Sequence, residues 1–293
     1  MLFNSIEFIF LFLPISWFGY YYLASKRYAT ASIIWLILCS LFFYAYWNPI
    51  YVTILLSSIL FNYWLGNHLL SKQGNKRLLF VGITVNLALL GYYKYSVFIV
   101  NNINYLFDSN YHLNNIILPL AISFFTFQQI AYLVDAYRGN GEHHFLPYCL
   151  FVIFFPQLIA GPIVHHKEMM PQFSEKQIYT PKVKNTVIGL TIFFLGLFKK
   201  VVIADHLSEN ANLIFDAAKN GYTITFFEAW LGSLSYTMQL YFDFSGYADM
   251  AIGCARLFGI KLPQNFNSPY KATSIIEFWR RWHITLSRFL RDY

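Results

Sequence analysis

His283 is the residue in this chain whose setting best suits a general base. It follows Arg280, Arg281 and Trp282 and precedes Thr285, Ser287 and Arg288. If Thr273 to Asp292 is one helix, with Thr273 or Ser274 as N-cap and Glu277 in its first turn, the step of about 100 degrees per residue sorts its side chains. Arg281, Thr285, Arg288 and Asp292 gather on one side, with Arg291 at the edge. Ile276, Trp279, His283, Leu286 and Leu290 gather on the other, with Arg280 and Ser287 beside the histidine. An imidazole on an apolar face is kept neutral by desolvation and can accept a proton at neutral pH. A histidine merely hydrogen-bonded in a protein core satisfies the same spacing. The flanking arginines suit either interfacial anchoring or a cradle for phosphate groups.

Other ionisable groups lie within apolar runs: Lys94, Asp135, Lys199, Lys200, Asp205, Asp243 and Asp249. At the centre of a membrane span each costs roughly 2.5 to 3.5 kcal/mol, so it is paired, snorkelled to the headgroups or kept for function. Lys94, Lys199 and Lys200 read most simply as snorkelling. Asp243 and Asp249 flank Phe244-Ser245-Gly246, where a Ser-Gly pair is expected to interrupt a helix and line a polar cavity. Helix capping by Asp249 is the plainer alternative. The adjacent pairs His143-His144 and His165-His166 diverge on a helix, so neither forms the i, i+4 chelate of a zinc site, and both read as loop histidines. Cys39, Cys149 and Cys254 are isolated among apolar residues, so neither a disulfide framework nor a metal site is expected.

The elements that must position these groups follow from composition. Of 293 residues, 57% are apolar, 21% aromatic and only 12% charged, against about one quarter charged in an ordinary soluble domain. With a mean hydropathy of +0.44, such a chain has too few ionic groups to clothe a single water-soluble core, and it reads as an all-α integral membrane protein. The net charge of +7 then fits loops facing an anionic leaflet better than a nucleic-acid partner. Apolar windows of membrane length are Phe8 to Ala24, Ala31 to Tyr46, Ile50 to Leu70, Leu78 to Val100, Ile116 to Tyr137, Leu146 to Ile163, Thr186 to Ala204, Phe226 to Phe242 and Gly246 to Phe258.

Met1 to Glu7 lacks the basic region of a cleaved signal peptide, so the first helix is expected to remain in the mature protein. Lys26 and Arg27 follow the first span, Lys72, Lys76 and Arg77 the third, and Arg138 the fifth, while the loops Trp47 to Pro49 and Asn101 to Asn115 hold no base. Basic loops face the cytoplasm, which places the N-terminus outside. Pro162, Pro171 and Pro181, with charges of both signs from His165 to Lys184, suggest a re-entrant or interfacial segment. There is no internal repeat and no linker, so residues 1–293 read as a single membrane domain.

Three runs carry a resemblance. They are Tyr241-Phe242-Asp243-Phe244-Ser245-Gly246-Tyr247-Ala248-Asp249-Met250-Ala251-Ile252-Gly253, Leu262-Pro263-Gln264-Asn265-Phe266-Asn267-Ser268-Pro269-Tyr270, and Phe278-Trp279-Arg280-Arg281-Trp282-His283-Ile284-Thr285-Leu286-Ser287 with Leu290-Arg291-Asp292-Tyr293. Leu118 to Gln128 and Phe155 to Ile163 agree with them. Together they closely resemble the membrane-bound O-acyltransferase family, in its bacterial branch of alginate O-acetylation proteins, peptidoglycan O-acetyltransferases and D-alanyl exporters of teichoic acid.

The resemblance implies a polytopic helical, barrel-like fold in the bacterial inner membrane. A thioester donor, acetyl-CoA or another acyl carrier, reaches the centre from the cytoplasm with no bound cofactor. The acyl group leaves toward an exported polysaccharide, through a periplasmic acetyltransferase partner. His283 matches one of the branch's two active-site histidines. By the same likeness Arg280 and Arg281 lie near the donor, and Asn265, Asn267 and Ser268 shape the pocket. Family members continue past Arg-Asp-Tyr to a Trp-His-Gly stretch holding the second histidine, whereas this chain stops at Tyr293. A truncated product or a fragment is expected, impaired or inactive alone. A transporter or channel built around Asp243 and Asp249, and a non-catalytic scaffold of a polysaccharide export complex, are the competing readings.

Overall fold

The computed structural model describes residues 1–71, 74–113, 116–141, 144–159 and 161–293, with Lys176 by its backbone alone. Lys72, Asn115, His143 and Ala160 lie outside the described residues. The described elements are helical: a π-helical turn Phe8–Phe12, then α1 (Leu13–Ser25), α2 (Ala29–Ala45), α3 (Ile50–Ser71), α4 (Lys76–Phe107), α5 (Ile122–Tyr137), α6 (Phe145–Ile153), α7 (Phe155–Leu158) and α8 (His166–Ser174). After them come α9 (Val183–Phe198), a second π turn Lys199–Ala204, α10 (Asp205–Lys219), α11 (Phe226–Leu257), α12 (Ile275–Arg281) and α13 (Ile284–Asp292). Four stretches are long and apolar enough to cross a bilayer, Phe8–Ser25, Ile50–Ser71, Lys76–Phe107 and Val183–Lys219, and α2 is a shorter apolar helix. The all-α membrane class is as expected.

Several boundaries differ from the hydropathy windows. The loop expected to begin at Asn101 is helical to Phe107, where Asp108 turns left-handed and Asn104 takes over the turn, accepting from Tyr111 N at 3.0 Å and donating to Tyr111 O at 2.8 Å. The fifth window starts late, at Ile122, because Pro119 and the left-handed Ala121 precede it. Tyr44 and Tyr51 donate to the carbonyls of Leu120 and Ile117 in that extended stretch, at 3.0 and 2.6 Å. The sixth window is broken at Phe154, just ahead of Pro156, and the freed N–H of Phe155 donates to Ser40 Oγ at 3.1 Å. Non-helical backbone is tolerated among apolar helices where side chains absorb its polar groups.

The chain forms two compact units. The first holds Met1–Ala29, Ala160–Pro162 and Lys176–Asp292; the second holds Thr30–Ile159, Ile163–Glu175 and Tyr293. In the second unit, α6 and α7 are buried over nearly their whole length, from Tyr148 to Leu158. Around them α3, α4 and α5 share a buried amide cluster. Asn86 donates to Asn62 Oδ1 at 2.7 Å, Asn62 donates to Asn86 Oδ1 at 3.1 Å and to Gln129 Oε1, and Ser58 donates to Gln129 Oε1 at 3.2 Å. Between apolar helices, lipid supplies no hydrophobic drive and such bonds contribute specificity and stability. Asn62→Leu is expected to cost about 1–2 kcal/mol, read as an earlier thermal transition of the purified protein in detergent. An unchanged transition would show that the cluster contributes nothing.

In the first unit α9 packs antiparallel on α11 through paired glycines. A Cβ on Gly253 would stand 2.6 Å from Phe193 N and 2.7 Å from Gly189 O, and one on Gly246 would stand 2.8 Å from Gly196 O. These neighbours are backbone and cannot rotate away. Gly253→Ala therefore forces the helices apart, an overpacking expected to cost about 1–3 kcal/mol, checked by thermal inactivation in detergent. The same packing corrects an expectation. Ser245-Gly246 does not interrupt a helix, since α11 runs unbroken through it for 32 residues and joins two windows that hydropathy separates. Gly246 provides close approach, not a kink.

Candidate active site

The site grows from the stretch that follows α11 in the first unit. Gly259 (φ 79°) ends that helix, and the chain runs extended to Ser268, itself left-handed at φ 47°. Ser274 caps α12 as the sequence suggests: its Oγ accepts from Glu277 N at 3.2 Å, while Glu277 Oε2 accepts from Thr273 N and Oγ1 at 2.9 and 3.0 Å. Glu277 also pairs with Arg281 one turn on, at 2.5 Å. These bonds to Thr273 and Arg281 hold the Glu277 carboxyl below its ordinary range.

The single helix expected from Thr273 to Asp292 is two helices. α12 ends at Arg281 and α13 begins at Ile284. Between them Trp282 is extended and His283 is left-handed, with φ 44°. Bonds from residues 265–267 hold the break open: Asn267 N donates to Arg281 O and Ile284 N donates to Asn265 O, both at 2.9 Å. Trp282 fills the space on the inner side, stacked on Phe278 at 5.7 Å and edge-on to Phe266 at 5.1 Å. The sorting of side chains onto two faces of one helix therefore fails.

The apolar setting of the imidazole nevertheless holds, by tertiary contact. Its ring meets Phe244 of α11 edge-on at 4.9 Å and Phe266 at 6.4 Å. Nδ1 is buried, and no other described residue hydrogen-bonds it. Burial lowers the His283 pKa below the ordinary 6.5, and the ring's own backbone opposes this more weakly. A neutral imidazole with one nitrogen turned inward is chemically able to accept a proton from a hydroxyl.

The other sequence candidates divide. Asn265, Asn267 and Arg281 converge on the break through the bonds above, and Asn265 is 1% exposed. Ser268 instead lines a cleft of about 180 Å³ with Met238, Tyr241, Phe242, Tyr270 and Lys271, and Arg280 is exposed on α12. Asp243 and Asp249 turn toward the second π turn, where Lys200 Nζ lies 2.7 Å from Asp243 and 2.8 Å from Asp205, and Lys199 Nζ lies 2.6 Å from Asp249. Lys199 and Lys200 are thus held by carboxylates, Asp249 and Asp243 from α11 and Asp205 from the start of α10. Lys94 is exposed, its ammonium 5.5 Å from the Tyr95 ring. Among the described residues no group of three potential metal ligands occurs.

One cluster escaped the reading of spacing. His166 is not a loop residue: it opens α8, is 5% exposed, and its Nδ1 donates to Asp135 Oδ2 at 2.9 Å while Nε2 faces the Asn140 carbonyl. Tyr293 Oη donates to the same carboxylate oxygen at 2.7 Å, and the His165 ring stacks on Tyr293 at 5.4 Å. All of these residues belong to the second unit. Asp135 already stood out as a charge within an apolar run, but its partners are 31 and 158 residues away.

Helices of this length and apolarity make the chain a multi-pass membrane protein. The model of the MBOAT, membrane-bound O-acyltransferase family, matches residues 140–293, which include the whole stretch from α11 to the strained histidine. The chain belongs to that family. Over its full length it is 50% identical to the peptidoglycan O-acetyltransferase of Helicobacter pylori, covering 61% of that protein. It is 43% identical to the probable alginate O-acetylase AlgI of Pseudomonas aeruginosa, covering 56% of it. Over 61% of the chain it is 31% identical to the teichoic acid D-alanyltransferase of Bacillus subtilis, 45% of which is covered. The chain thus spans little more than half the length of the curated relatives that it matches end to end.

Proposed function

We propose that the full-length protein transfers an acetyl group from a cytoplasmic thioester, acetyl-CoA, toward hydroxyls of an exported polysaccharide such as peptidoglycan or alginate. In this reading it lies in a bacterial inner membrane with its N-terminus outside, as one membrane domain, and hands the acetyl group to a periplasmic acetyltransferase partner. His283 Nε2 takes the proton of the attacking hydroxyl as its oxygen bonds to the acyl carbonyl carbon. The carbon–sulfur bond then breaks, and the thiolate recovers the proton from the imidazolium. Arg280 and Arg281 lie toward the donor, Asn265 and Asn267 shape the surrounding pocket, and Ser268 lines the neighbouring cleft.

The observation that carries this reading is a desolvated imidazole held in a strained backbone conformation, in a chain whose relatives are named for acetyl and alanyl transfer. The competing solute path rested on Asp243, Asp249 and a broken helix between them. The helix is intact and both are paired. The test is transfer by the full-length protein in proteoliposomes, with acetyl-CoA labelled in its acetyl group outside and a soluble acceptor glycan and partner inside. Labelled glycan supports the proposal; solute flux without acyl transfer refutes it. An alanyl thioester run in parallel decides the donor.

A further inference from the structure

A histidine at φ 44° is held where side-chain-bearing residues rarely settle, and it stays there only if its neighbours over-determine the conformation. The residues that do so are visible. Two backbone bonds from Asn265 O and Asn267 N bracket Trp282-His283. The carboxamide of Asn265 is fixed in turn by Thr285, whose Oγ1 and N donate to Asn265 Oδ1 at 2.9 and 3.4 Å. Both residues are 1% exposed, so water cannot replace a lost bond. Thr285 lies on α13, two residues past the histidine, and Asn265 lies 20 residues before Thr285. The two thus bolt the start of α13 to the extended stretch, on the far side of the break.

We propose that Asn265 and Thr285 are positioning residues, a clamp that holds His283 left-handed with Nδ1 turned inward, so that Nε2 is the nitrogen offered to the acceptor hydroxyl. This rests on the reading of His283 as the base, and it gives Thr285 a role that the residue's type and spacing do not suggest. Neither clamp residue exchanges a proton with substrate. Their effect passes through the direction in which the ring points, and a hydroxyl at position 285 is what the clamp requires.

The test uses the full-length protein with Thr285→Val, which keeps the side chain's shape, and Thr285→Ser, which keeps the hydroxyl. Thr285→Val is expected to lower kcat about 100-fold, the loss that a misplacement on the order of 1 Å produces, with KM for the thioester unchanged and wild-type amounts in the membrane. Thr285→Ser is expected to retain most of the activity. An independent readout is carbethoxylation of His283 by diethyl pyrocarbonate, followed by mass spectrometry across pH. In Thr285→Val the ring should react faster, with its midpoint moved up toward that of an ordinary histidine. Reactivity in Thr285→Val matching wild type overturns the clamp, whatever the activity does. If His283→Ala is fully active while the Thr285→Val ring still gains reactivity, the clamp stands and the base reading falls.

Discussion

His283→Ala in the full-length protein is expected to lower O-acetylation of the polymer by about 10²–10⁴-fold, the range that a positioned general base contributes. Protein abundance in the membrane should stay normal. The ring lies against Phe244 and Phe266, and no other described residue bonds its Nδ1, so its removal strands no hydrogen-bond partner among them. The measurement is acetate released from the purified polymer by base, beside an immunoblot of the membrane fraction. Unchanged acetate content would remove His283 from the mechanism.

The wild-type pH profile follows from the same geometry. Burial lowers the His283 pKa, so the neutral, proton-accepting form persists below 6.5. The acid limb of the rate is therefore expected on the acidic side of an ordinary histidine's titration. A limb above 7 would mean that the controlling group is not this ring.

Asp135→Ala is expected to be the most damaging change to the second unit. One buried carboxylate oxygen accepts from both His166 Nδ1 and Tyr293 Oη, with Lys167 Nζ 3.9 Å from the other oxygen. Alanine strands the buried His166 Nδ1, at about 1–3 kcal/mol, and takes from Tyr293 Oη one of its partners, another being His165 Nδ1 at 3.2 Å. That exceeds the cost expected for Asn62→Leu. Asp135→Asn keeps one acceptor oxygen and should fall between wild type and alanine. The readout is the thermal transition in detergent, with trypsin cleavage near α8 as a local probe. A transition for Asp135→Ala equal to wild type would show that the cluster contributes nothing to the fold.

Much of this molecule was legible from residue type alone. Charge scarcity and apolar windows of membrane length made it an α-helical membrane protein, because the bilayer demands the same of every backbone polar group whatever the fold. Ser274 and Glu277 announced the start of α12, because a cap is a bond between residues three apart. The histidine was identified as a candidate base by its type, its flanking residues and a resemblance spread over most of the chain.

What the tertiary structure alone decided are the matters that distant residues settle. Periodicity assumed one helix from Thr273 to Asp292, yet residues 265–267 take the backbone bonds at Arg281 and Ile284 and break it at His283. The imidazole is desolvated by Phe244 and Phe266, not by the helix face that spacing assigned to it. Lys199 and Lys200 looked like snorkelling cations until α11 brought Asp249 and Asp243 to their level. His166 looked like a loop residue until Asp135 reached it. Propensity, capping and hydropathy act within a few turns of chain and can be read along it. The free energy of a buried charge or a strained dihedral depends on which partner the packing delivers, and for these residues the partner comes from another element.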